Sequence, residues 1–148
     1  MINKQQIWLG IATILISFSS LAGEMETDLM DRYRAAYESG NATALVDLVY
    51  PDGLDETIRS QLQEGFQFNF DLKMKLTSMN IGEVPEGMPT ERNLNGVTYK
   101  LNLEPTGRLE VMLSLVDENG NELGGPNSYI VGEHEGKLYI TTGVPSEN

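Results

Sequence analysis

The chain has no cysteine, a single histidine (His134) and a single tryptophan (Trp8), and its 10 lysines and arginines face 22 acids over 148 residues. Without cysteine there is no disulfide, no thiol nucleophile and no thiolate metal site, and the fold must stand on its core alone. One histidine excludes centres that need a pair of them. Positive charge is so scarce that nucleic acid phosphates and anionic lipid are repelled, so neither is an expected partner. The glycines form no phosphate-binding loop, and no Gly-x-Ser-x-Gly elbow occurs. Internal repeats, low-complexity blocks and Pro/Gly/Ser linkers are absent too. No catalytic signature stands out.

What is present begins with an address. Lys4 gives a positive start, Ile7 to Ile16 is an apolar run of ten, and Ser20-Leu21-Ala22 places small residues at both ends of a tripeptide. This is the layout of a secretory signal peptide over residues 1–22, cleaved near Ala22. Ten residues rise only about 15 Å as a helix, half a bilayer core, so a retained membrane span is not expected. The predicted product is exported, periplasmic or secreted, and is a single domain over residues 23–148. It keeps nine basic residues against 22 acids, a net charge of −13. Solubility explains that charge more simply than an acidic recognition surface does.

The first half of this domain reads as helical. Met25, Leu29, Tyr33, Ala36 and Tyr37 recur at helical spacing, and Ser39-Gly40 is a stop. Asn41 is a candidate N-cap for a short helix carrying Ala44, Leu45, Leu48 and Val49. After the turn Tyr50-Pro51-Asp52-Gly53, a third helix carrying Leu54, Ile58 and Leu62 is predicted to end near Glu64-Gly65.

The second half alternates. Phe66, Phe68, Phe70, Leu72, Met74 and Leu76 predict a first strand, and Asn80 to Asn95 a loop. Val97, Tyr99, Leu101 and Leu103 then face Leu109, Val111, Leu113 and Leu115. Keeping apolar residues on one side selects a three-residue turn, Pro105-Thr106-Gly107, that pairs Leu101 with Val111. Lys100 and Asn102 fall on the opposite, solvent face and are expected to tolerate alanine. A two-residue Asn119-Gly120 turn is predicted to pair Val116 with Leu123, and a loop His134-Glu135-Gly136 to pair Ile130 with Ile140. Gly124-Gly125-Pro126 interrupts the strand between them as a bulge or bend. Helices followed by strands argue an α+β domain, with N-terminal helices packed in a curved antiparallel sheet of about five strands.

The stretch from Tyr33 to Tyr50, a helix, a small polar turn and a second helix leading to an aromatic and a Pro-Asp-Gly turn, resembles the opening of nuclear transport factor 2-like domains. The final Tyr129 to Ile140 is similar to that family's last hairpin, with Leu138 where members often carry tryptophan. The resemblance implies a cone, with a bent sheet wrapped around helices and a pocket between them. The family includes ketosteroid isomerase-like enzymes, epoxide hydrolases, polyketide cyclases and members without known activity, so fold alone selects no function.

Candidate pocket residues on this reading are Tyr33, Tyr37, Phe68, Phe70 and Tyr99. No catalytic residue, cofactor or metal ligand is assigned. His134 is predicted at a solvated hairpin tip, a poor place for positioned proton transfer. Asp117 to Glu122 lacks the alternating acids of a calcium loop, and a hairpin turn explains it better. Asn41-Ala42-Thr43 is formally a glycosylation sequon at a helix start. Two function classes follow. One is a non-catalytic binding module for a small apolar molecule or a partner protein, with the sheet also offering a homodimer surface. The alternative is a pocket enzyme of isomerase or hydratase type, using a tyrosine with Asp71 or Glu64 at the mouth. A carboxylate buried beside Tyr33 or Tyr37 would separate the two.

Overall fold

The computed structural model describes residues 4–146, with side chains from residue 21 onward. The apolar side chains on which the export reading rests therefore lie outside the described residues. No helix among those described is long and apolar enough to cross a membrane.

Three helices precede seven strands. The helices are α1 (Lys4–Glu38), α2 (Ala42–Val46) and α3 (Glu56–Asp71). The strands are β1 (Lys75–Gly82), β2 (Glu91–Leu94), β3 (Val97–Leu101), β4 (Gly107–Val116), β5 (Glu122–His134), β6 (Lys137–Ile140) and β7 (Gly143–Pro145). The fold is α+β, with helices packed against a strongly curled antiparallel sheet. That sheet has four strands in the order β1-β4-β5-β6, and a second sheet has three in the order β2-β3-β7. The expected single sheet of about five strands is thus corrected to four and three.

The helix ends follow from local chemistry. At the end of α1, Asn41 N–H donates to the Ala36 carbonyl at 3.3 Å and Gly40 N–H to that of Tyr37 at 3.0 Å. Gly40 turns left-handed at φ 67°, which completes a Schellman cap. Asn41 then caps α2 by accepting from Ala44 N–H at 3.1 Å, and Asp55 caps α3 by accepting from Ile58 N–H at 2.8 Å.

The third helix does not stop at Gly65. Ile58, Leu62, Phe66 and Phe70 form one i, i+4 stripe, and this continuity outweighs the period-two pattern of the phenylalanines. Phe66 is buried on that stripe, whereas Phe68, two residues on and a helical half-turn away, is 60% exposed. The predicted strand over Phe66 to Leu76 is therefore helix for most of its length.

The core lies between α1, α2 and the concave side of the four-stranded sheet. Leu29, Tyr33 and Ala36 pack against Leu109, Val111 and Leu113 of β4, Val131 of β5, and Leu138 and Ile140 of β6. Each buried aliphatic side chain contributes roughly 1.5–3 kcal/mol. The inward face of β4 is the one predicted from alternation, but its partners differ. Leu109, Val111 and Leu113 pair with Ile81, Met79 and Leu76 of β1, not with β3. A bulge between Leu76 and Ser78 resets the alternation so that both ends of β1 point apolar residues inward. Strand parity could not reveal a partner whose own parity is broken.

Strand β3 pairs instead with β2 through Asn95-Gly96, both residues at positive φ (53° and 84°), the two-residue turn that twisted hairpins favour. The predicted loop from Asn80 to Asn95 thus contains the end of β1 and all of β2. Of the two later turns, the first is longer than expected and the second shorter. Val116 pairs with Glu122 around a longer turn closed by Asp117, and His134 pairs with Lys137 across Glu135-Gly136, both at positive φ. Ile130 consequently pairs with Arg108, and the partner of Ile140 is Val131.

Candidate functional site

The three-stranded sheet builds a concave surface from its register. Cross-strand partners share a face, so Arg92 lies beside Tyr99 and Leu94 beside Val97. Leu101 N–H donates to the Thr90 carbonyl at 3.1 Å, which extends that face, and Leu101 pairs with Gly143 on the other side. Met88 and Pro89 of the preceding loop close one wall. Ile130, from the convex side of β5, closes another. They enclose a cavity of about 350 Å³ that is mainly apolar, with Thr90, Glu91 and Arg92 as its polar groups. Cavities of this size and character take small molecules. Among the described residues Arg92 forms no ion pair. Tyr99 also lines a smaller hollow of about 290 Å³ beside the start of α3, with Asp55, Ile58 and Gln61.

Of the five pocket residues expected from the sequence, only Tyr99 lines this cavity. Tyr33 is fully buried in the core, its ring stacked on Tyr37 with centroids 6.2 Å apart and its hydroxyl 3.5 Å from that of Tyr129. Tyr37 packs on Phe70 at 5.0 Å and donates its hydroxyl to the Met74 carbonyl at 2.7 Å. Tyr37 and Phe70 border an open hollow with Lys73 and Lys75, while Phe68 borders another between α3 and β5. The five are therefore divided among the core and three surfaces. The signal that would have found the cavity is Asn95-Gly96, a strong hairpin cue between short polar-apolar runs.

The tyrosine cluster is chemically quiet. Burial pushes the hydroxyls of Tyr33, Tyr37 and Tyr129 above the ordinary phenol range, and neighbouring tyrosines push Tyr33 and Tyr37 further. They are held neutral; Tyr33 donates to the Tyr129 hydroxyl, which accepts, and Tyr37 donates to the Met74 carbonyl. No carboxylate contributes to the shifts of Tyr33 or Tyr37. Asp71 and Glu64 are exposed on α3, and Asp71 accepts from Gln67 Nε2 at 3.1 Å.

His134 is not at a hairpin tip. It ends β5 beside the turn, its ring 5.0 Å from that of Tyr50 and its Nδ1 3.5 Å from the Tyr50 hydroxyl. That hydroxyl also donates to Asp52 at 3.1 Å. The Asp117 carboxylate accepts from the backbone N–H of Asn119 at 2.9 Å and of Asn121 at 2.8 Å, and from Asn121 Nδ2 at 3.1 Å. It is spent inside its own turn. Among the described residues no group of three His, Asp or Glu side chains is placed to hold a metal ion.

No protein-family model and no curated relative matches the chain. Among solved structures it is similar to a chain from Xanthomonas campestris provisionally named a calcium/calmodulin dependent protein kinase II association domain. Identity is 17%, covering 81% of this chain and 84% of that one, with a TM-score of 0.44. A likeness this distant transfers neither site nor activity.

Proposed function

We propose that the protein is an exported binding module of the nuclear transport factor 2-like type, whose site is the cavity between the β2–β3 hairpin and the convex side of β5. Its ligand is a small, largely apolar molecule. The observation that carries this reading is the cavity itself, with Met88, Leu94, Tyr99, Leu101 and Ile130 converging on about 350 Å³. The leader-like residues 1–22 and the helices wrapped by a curled sheet support the wider assignment. A pocket enzyme would need a carboxylate beside the tyrosines, and the two acids considered for that role, Glu64 and Asp71, are exposed on α3.

Nile red, a neutral apolar dye, tests the site. It should bind the protein saturably, and filling the cavity with Leu101→Trp or Met88→Trp should weaken binding about tenfold or more while melting is preserved. Binding unaffected in both folded variants would overturn the assignment.

A further inference from the structure

We infer that this cavity takes an amphipathic carboxylate, an organic acid with an apolar body, and that Arg92 meets its head group; the inference rests on the cavity being the ligand site. Three observations point to a monoanion. Arg92 shares the Tyr99 face of the hairpin by register and lines the cavity together with it. It forms no ion pair among the described residues, although the chain has more than twice as many acids as bases. Glu91 also borders the cavity, with Lys100 as its cross-strand register partner, and neither forms an ion pair among the described residues. The third observation is that the other cation beside the cavity wall is engaged. Arg108, the register partner of Ile130 in the cavity wall, is held by Glu110 at 2.9 Å.

A guanidinium offers a planar fork that matches one carboxylate with two parallel hydrogen bonds. A phosphate monoester, carrying nearly two charges, would call for more cations than this rim provides. Arg92 is exposed, so the head group sits at the mouth in water and the chain lies inward along Tyr99 and Leu101. Solvent access makes the ionic contribution modest and salt-sensitive.

The test is displacement of bound Nile red by decanoate, decanol and decylamine at low salt. Decanoate should displace about two- to fivefold better than decanol, the worth of one ion pair at a water-exposed rim, and decylamine worse than both. Arg92→Gln should bring the ratio of decanoate to decanol close to one, and added salt should narrow it in the wild type. Decanol competing as well as decanoate in the wild type would overturn the head-group inference while leaving the cavity reading in place. A ratio that survives Arg92→Gln would overturn it as well. Displacement by none of the three, together with dye binding that ignores Leu101→Trp, would remove the cavity reading itself.

Discussion

Asn102 and Tyr50, more than fifty positions apart, are joined by a hydrogen bond of 2.7 Å from the Asn102 Nδ2 to the Tyr50 carbonyl. The same amide nitrogen donates to the Asp52 carbonyl at 3.0 Å, and Oδ1 accepts from Thr142 N–H at 3.2 Å. One side chain thus ties the turn after α2 to the segment entering β7, and so fixes the small sheet that carries the cavity.

Asn102→Ala should therefore be costly, against the solvent-face tolerance that alternation implies. Three backbone groups lose their partner, and a partly buried network of this kind is worth roughly 1–3 kcal/mol. Asn102→Asp keeps the acceptor but loses both donors, so it should be no better. Urea unfolding of the two variants beside Lys100→Ala, an exposed neighbour in β3, checks this. A loss at Asn102 as small as that at Lys100 would refute the clamp.

Lys73 sits where α3 ends. Met74 N–H donates to the Asn69 carbonyl at 3.2 Å and Lys73 N–H to that of Phe70 at 2.9 Å, the same capping pattern as at Gly40. Here the left-handed position, φ 58°, is filled by a lysine. A side chain there costs about 1–2 kcal/mol, partly offset by the greater chain entropy that glycine loses on folding. Lys73→Gly should raise stability by roughly 0.5–1 kcal/mol, read as a higher urea midpoint at unchanged slope.

This position also explains what was hard to read. The end of α1 was legible because Gly40 announces it. The end of α3 was not, because no glycine stands at Lys73 and one stands mid-helix at Gly65. Phe66, Phe68 and Phe70 satisfy a strand period by type, yet Leu62, Phe66 and Phe70 satisfy the helical one by burial. The inward face of β4 was legible because Leu109, Val111 and Leu113 alternate without interruption. Its partner was not, because the bulge near Ser78 breaks the alternation of β1. For the cavity, Tyr99 was visible as an aromatic on a strand, while Arg92 and Leu94 lay in a stretch whose prolines and glycines read as loop.

Asp117 predicts a pH dependence. Hydrogen bonds from the backbone and side chain of Asn121 hold its carboxyl below the ordinary aspartate range. A depressed native pKa stabilises the fold above the unfolded value of about 3.9, and that contribution is lost as pH falls through the native value. The stability gap between wild type and Asp117→Asn should be constant from about pH 5 to 7 and shrink below about pH 4. Urea titrations across that range measure it, and a gap that widens on acidification would contradict the sign.

The last expectation concerns processing. Small residues at Ser20 and Ala22 meet the requirement of a leader cleavage site. Cutting there would take nothing from the core that the described side chains make: Leu21 and Ala22 are exposed, whereas the packed stripe of α1 starts at Met25 and Leu29. N-terminal sequencing of protein recovered from the exported fraction should accordingly begin at Gly23. A chain made directly from Gly23 to Asn148 should bind Nile red and unfold in urea like the exported form. Exported protein that still begins at Met1 would refute the leader. A chain from Gly23 that fails to fold would instead mean that α1 upstream of the cut contributes to the domain.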